Sequence, residues 1–484
     1  MDTTKISASK VIRPDQHDSQ IIIDRFFELQ QQHLFTSWND LLPEQQNKLL
    51  NDLESIDPEF LKKIHQNITS PPRVIKSLEP CKYIHKAKSR GDRAREEEAR
   101  RIGETAIKAG KVALFLAAGG QGTRLNFKGT KGKCAVGSLT QHTLFQIYAE
   151  KILALQRRYE VTFPLWIMTS RENHAETEQF FFQNSLFGLL EKNIHFVQQE
   201  MLPSLDLSGK FFLSDPSTLV KNPNGDGGCL KVLKKFRAIE TFLNEGYETL
   251  FCFHVDNPLI QIADATFLGW HLKENADFSA KVFTYSEPTE RSEIAAVING
   301  KTGILEQEEI TEEIRCSQDE DGNPKYHLGN TSIYMISLVL LQQVTFEQLP
   351  YHKYLRKIPY LNTDRQWITP EKENGYKFET CLFDLLGEAK NPLFVEVDPR
   401  EEYAPIKNTE GLYSLDLAQK LQTNLFASWL EQATMFVPRN EKGEVQGVIE
   451  ISPLFAMNAQ ELKQKLAEKK TFTGELLLEE DADS

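Results

Sequence analysis

Three short groups of residues have the clearest capacity for chemistry. The first is Gly119-Gly120-Gln121-Gly122-Thr123-Arg124, followed by Lys128, Lys131 and Lys133. Glycines leave peptide N–H groups uncovered and accept backbone angles that other residues avoid, so such a loop can close around phosphate oxygens. Arg124 and the lysines bring positive charge, and a lysine point charge suits a phosphate that must also leave. Two familiar phosphate patterns are excluded. The Walker pattern needs a glycine where Phe127 stands and Ser or Thr where Cys134 stands; the dinucleotide fingerprint needs a third glycine where Leu125 stands. The second group centres on Asp256, which follows the apolar run Thr249 to Val255 and precedes Asn257-Pro258. An acid there is placed either to cap a turn or to hold Mg²⁺, an ion that takes one or two carboxylates together with phosphate oxygens. The third pairs Gln198-Gln199-Glu200-Met201-Leu202-Pro203 with Asn222-Pro223-Asn224-Gly225-Asp226-Gly227-Gly228. A glutamine amide offers a donor and an acceptor to the edge of a base, and a glycine-rich turn lets backbone approach a flat ring.

These groups must be positioned by regular elements. Val112 to Ala118 is an unbroken apolar run that suits a strand buried on both faces. Similar runs recur at 164–168, 194–197, 249–255 and 280–283, with helical periodicity between them, for example from Leu144 to Leu155 and from Leu230 to Phe242. That rhythm predicts an α/β fold: a central, mostly parallel sheet with helices on both faces, whose ligands bind beyond the carboxyl ends of strands. The expected organisation is an N-terminal helical region over 1–100, a central domain over 101–390 and a small α+β C-terminal domain over 391–484. The charged run from Lys86 to Arg101 mixes both signs at helical spacing, so it reads as a solvated helix and receives no chemistry.

Composition narrows the classes of partner. The chain has 484 residues, 40% of them apolar, enough to bury a full core, and a formal charge of −13, which argues against nucleic acid. A polyanionic ligand then requires local cations and a divalent ion. No apolar stretch reaches the length of roughly 18 to 20 residues that a membrane helix needs, and the start Met1-Asp2-Thr3-Thr4-Lys5 lacks a secretory layout, so the expectation is a cytoplasmic protein without a membrane partner. Six cysteines, at 81, 134, 229, 252, 316 and 381, are scattered and read as free thiols.

The motif L-x-x-G-G-x-G-T-R-L over Leu116 to Leu125, with Lys131-Gly132 behind it, resembles the signature of the UDP-sugar pyrophosphorylases (UDPGP type 1). Thr130 stands where that signature has proline before its Lys-Gly. Gln-Gln-x-Met-Leu-Pro and Pro-x-Gly-x-Gly-Gly are similar to the uridine-reading elements of the eukaryotic-type UDP-N-acetylhexosamine enzymes. So are Val255-Asp256-Asn257, Leu328-Gly329-Asn330, Tyr403 to Asn408 and Ile449 to Leu454 to other parts of that family. The resemblance implies UTP and a hexose 1-phosphate as substrates, with UDP-sugar and pyrophosphate as products, and N-acetylglucosamine 1-phosphate as the first acceptor to test. It implies catalytic roles for Arg124, Lys131 and Lys407 and nucleotide contacts at Gly119, Gly120, Gln121, Gly122, Thr123, Gln199, Gly225 and Asp226. Asp256, Glu306 and Asn330, together with Pro288-Thr289-Glu290, fall at its sugar contacts, and Asp256 at its Mg²⁺ (or Mn²⁺) position. Asp226 replaces the family's usual Asn or His, and Glu293 stands where the N-acetyl-sugar enzymes usually have glycine. Alternatives are a UTP–glucose-1-phosphate or broad UDP-sugar enzyme, an inactive UDP-sugar sensor, and a nicotinamide-dependent oxidoreductase.

Overall fold

In the computed structural model, residues 17–69, 73–120, 122–125, 127, 129–285, 293–466, 472 and 474–480 are described. They divide into two compact units: one takes in the described residues of 17–74, 200–228 and 346–382, the other those of 75–199, 229–345 and 383–480.

The second unit is built on a ten-stranded sheet. Its strands in chain order are β1 (Leu78–Pro80), β2 (Val112–Ala117), β3 (Leu165–Thr169), β4 (Ile194–Gln198), β5 (Thr249–His254), β6 (Phe278–Thr284), β7 (Ile294–Ile298), β8 (Lys301–Leu305), β9 (Leu328–Ser337) and β10 (Pro392–Glu396). The spatial order is β1-β7-β9-β5-β2-β3-β4, with β6 paired to β9 and β10, and β8 to β7. β2, β3, β4, β5, β6, β7 and β10 run one way and β1, β8 and β9 the other, so the sheet is mostly parallel, as the alternating pattern predicts. Helices α1 (Arg90–Lys108), α2 (Leu144–Tyr159), α3 (His174–Gln183) and α4 (Ala265–Lys273) accompany it.

The register explains where a ligand must sit. β2 and β5 lie side by side and parallel, with His254 opposite Ala117. The chain leaves β2 through Gly119-Gly120 and leaves β5 through Asp256, so both groups emerge at the same carboxyl edge, where ligands of such sheets bind. Phe251 and Phe253 on β5, with Leu114 and Leu116 on β2, are buried in the main core and hold that edge fixed. Around α5 (Leu415–Gln432), a two-stranded parallel ladder of Val448–Ile451 with Glu475–Leu478 packs a separate small core of Ala427, Leu430, Ile449, Ile451 and Leu462.

In the first unit, helices Pro43–Glu54 and Pro58–Thr69 pack on short antiparallel ladders formed by the two later segments. Phe60 meets the rings of Tyr351 and Phe378 edge-on, and Lys221 reaches the buried Asp52 carboxylate at 3.0 Å. Among the described residues no helix is long and apolar enough to cross a membrane.

Candidate active site

The glycine loop begins where β2 ends. Asn173, at the start of α3, donates through Nδ2 to the Ala118 carbonyl at 2.8 Å and to the Gly120 carbonyl at 3.4 Å, which fixes the first peptides of the loop. Gly119 leaves room for Gln199: a β-carbon there would come within 2.1 Å of Gln199 Nε2 and force that side chain aside. Gln199 thus lies against the loop, and its buried Oε1 has no hydrogen-bond partner among the described residues. An acceptor left open beside the glycine loop is compatible with the base-reading role expected of it. Gly122, Thr123 and Arg124 form a short 3₁₀ turn over Gly122–Leu125. Gln121 and Lys128 lie outside the described residues, as do Pro288, Thr289 and Glu290.

Lys131 heads a second 3₁₀ turn, Lys131–Lys133, and its Nζ stands 3.4 Å from Asp256 Oδ2. Both side chains are largely covered, with 14% and 13% of their surfaces exposed. Lys407 reaches the same place through backbone contacts: Ile406 N–H donates to the Asp256 carbonyl at 2.8 Å, and Ala404 N–H donates to Asn257 Oδ1 at 3.0 Å. Asn257 Nδ2 in turn donates to the Glu402 carbonyl at 2.6 Å, and Tyr148 OH to the Asn257 carbonyl at 3.0 Å. Burial opposes ionisation of Asp256, but Lys131, Lys407 and His254 outweigh it and hold the carboxyl down at about 2. The site therefore holds an ionised carboxylate with Lys131 3.4 Å away and the charge of Lys407 acting on it.

Beneath this segment, Lys281 is fully buried, with Nζ 2.6 Å from Asp264 Oδ2 and 2.5 Å from Glu402 Oε2. Burial pushes the Glu402 carboxyl up against the pull of Lys281. Removing one member of such a cluster strands the others uncompensated, so Lys281→Met should cost about 3 to 5 kcal/mol of stability. Urea denaturation checks this, and a loss below about 1 kcal/mol contradicts it.

Asn330 is buried on β9, and its Nδ2 donates to Glu293 Oε2 at 2.8 Å and to Tyr334 OH at 3.0 Å. Glu306 is buried just beyond β8, where its N–H donates to Glu309 Oε2 at 3.1 Å. Gly225 and Asp226 belong to the first unit, where Asp226 Oδ1 accepts from Leu382 N–H at 2.9 Å. Sequence reasoning passed over Asn173 and Glu176. Glu176 accepts from Thr130 N–H and Oγ1 and from Lys133 Nζ, so Lys133 is anchored to α3. No periodicity signals contacts made over 40 to 60 residues.

The model of the family described as UTP–glucose-1-phosphate uridylyltransferase (UDPGP) matches residues 60–469. The chain is 33% identical to UDP-N-acetylglucosamine pyrophosphorylase of Saccharomyces cerevisiae, over 85% of this chain and 91% of that one. It is 32% identical to UDP-N-acetylglucosamine diphosphorylase 2 of Arabidopsis thaliana, over 93% and 92%. Among solved structures, the uridine diphosphate N-acetylglucosamine pyrophosphorylase of Trypanosoma brucei shares the fold with a TM-score of 0.79, at 24% identity over 96% of this chain and 98% of that one.

Proposed function

The chain belongs to the UDPGP family, and on that premise we propose that it transfers the uridylyl group of UTP to a hexosamine 1-phosphate, N-acetylglucosamine 1-phosphate first, releasing pyrophosphate. The observation that carries the reading is the convergence of Lys131 and Lys407 on the ionised Asp256, at the strand edge where the glycine loop begins.

The acceptor phosphate is already an anionic nucleophile, so no side chain has to take a proton from it. The barrier lies in bringing two polyanions into line at the α-phosphorus, and positioning of this kind can contribute on the order of 7 to 11 kcal/mol. In this reading the N–H groups of Gly119 to Thr123 hold the triphosphate, Gln199 reads the edge of the uracil, and Gly225 and Asp226 keep the nucleotide-reading role their motif implies. Arg124, Lys131 and Lys407 neutralise charge as it shifts from the acceptor oxygen to the leaving pyrophosphate. Asp256, an ionised carboxylate at the carboxyl edge of the sheet, fits as the residue that would hold Mg²⁺. The ion supplies further neutralisation of phosphate charge when bound. Glu306 and Asn330 are assigned to the sugar. We assign the reaction to the cytoplasm, where six free thiols remain reduced.

A broader acceptor range is the second reading, favoured by the Glu293 carboxylate, which occupies one donor of Asn330. Pyrophosphate release from UTP with N-acetylglucosamine 1-phosphate, glucose 1-phosphate and their galacto epimers decides between them. The highest kcat/KM is expected with N-acetylglucosamine 1-phosphate. A preference for glucose 1-phosphate overturns the sugar assignment, and UTP binding without pyrophosphate release from any acceptor overturns catalysis itself.

A further inference from the structure

The turn that carries Lys131 is held at both ends by one carboxylate. Thr130, directly before the lysine and fully buried, donates to Glu176 Oε2 through its N–H at 3.0 Å and its Oγ1 at 2.8 Å. Lys133, the last residue of the turn, donates through Nζ to Glu176 Oε1 at 2.7 Å. The turn is closed within by Lys133 N–H on the Thr130 carbonyl at 2.9 Å.

Thr130 sits at φ −66°, ψ 129°. That φ is the angle a pyrrolidine ring enforces, and proline is the residue that the resembled signature carries here. A ring restricts φ covalently, whereas threonine leaves it free unless partners fix it. Here the partner is Glu176 Oε2, which takes both the N–H and the hydroxyl of Thr130 and is brought in on α3 from 46 residues away. α3 also carries, just before its first residue, the Asn173 that fixes Ala118 and Gly120, so one helix start sets both phosphate-facing loops.

We propose that Glu176 is a positioning residue for uridylyl transfer, acting through Thr130 to aim Lys131 and replacing the rigidity that a proline gives. The proposal rests on the uridylyltransferase reading. It has a consequence that a merely structural contact lacks. A proline at 130 suits the backbone angle, but its Cδ takes the place of the N–H and would run into Glu176 Oε2. Each single change should therefore harm, and the two together should repair each other.

Glu176→Ala is expected to lower kcat on the order of 10- to 100-fold, the cost of misplacing a catalytic group by about 1 Å. KM for UTP should change by less than about threefold, because the contact matters in the transition state more than in binding. Thr130→Pro alone should fall by a similar factor, while the double variant returns to within about fivefold of the parent, a non-additivity that only directly coupled residues show. Glu176→Gln, nearly the same size, keeps an acceptor for Thr130 and should lose less than Glu176→Ala. A double variant no faster than Glu176→Ala, or a Glu176→Ala enzyme with parental kcat, overturns the proposal. Amide hydrogen exchange at Thr130 separates this from failure of the reaction assignment, since it needs no turnover. Exchange should quicken at least about 10-fold in Glu176→Ala, and unchanged exchange overturns the proposal even if the parent chain proves inactive.

Discussion

Lys131→Ala is expected to lower the rate of pyrophosphate formation at least about 100-fold while leaving the chain folded, the usual cost of deleting one electrostatic stabiliser of a transition state. The ammonium lies beside Asp256 at the edge of the sheet rather than within the core, so its loss opens no cavity among the packed strands. Asp256 keeps Lys407 and His254 as neighbours, which limits the harm to folding. The effect should therefore appear in turnover. A factor of 100 corresponds to about 2.7 kcal/mol of lost transition-state stabilisation. Lys131→Arg should not restore the rate, because a planar guanidinium on a longer stem cannot occupy the place of a compact point charge. Single-turnover measurement with UTP and N-acetylglucosamine 1-phosphate reads the effect. Near-parental turnover in Lys131→Ala would remove the lysine from the mechanism and, with it, the electrostatic account of this site.

Part of this site was legible in the sequence because local patterns carry it. A strand buried on both faces must be apolar throughout, so Val112 to Ala117 announced itself, and the glycines and Asp256 at strand ends followed from the rule that ligands bind at such edges. β9 was harder to read. Its sequence stands out only at Leu328-Gly329-Asn330, yet it runs for ten residues against its neighbours β5, β6 and β7. Direction within a sheet is set by connections and pairing, which a continuous apolar run does not encode. The same limit hides the joining of the described residues of 17–74 with two segments more than a hundred residues later, and the Lys281 cluster. Lys407 stands out only by resemblance; its approach to Asp256 depends on Asn257 and Ile406 hydrogen bonds that join segments about 150 residues apart in the chain, which no spacing rule anticipates.

Asp256 is the residue on which the two lysines and the expected ion depend together, and its removal should be as costly as that of Lys131. Asp256→Asn keeps the shape and deletes the charge. The expected result is a rate at least about 100-fold lower, with the dependence on Mg²⁺ concentration lost along with the activity. Retention of both excludes Asp256 as the metal ligand. The acid limb of the pH profile gives a second check. Burial raises the carboxyl and the cations lower it, with a net value of about 2, below the ordinary carboxylate range. Its ionised form therefore persists through the whole range above about pH 4, and no loss of activity between about pH 5 and 8 should trace to its protonation. The linkage to stability has the same sign: a depressed carboxyl stabilises the fold above its unfolded value of about 3.9 and loses that contribution as pH falls toward about 2. Asp256→Asn should remove this component of acid denaturation. It should also leave the charges of Lys131 and Lys407 without the carboxylate that offsets them, so the variant is expected to bind free phosphate or pyrophosphate more tightly than the parent in the absence of metal. If instead the variant binds pyrophosphate more weakly under those conditions, the two lysines do not face the phosphate site, and their convergence on Asp256 serves the fold alone.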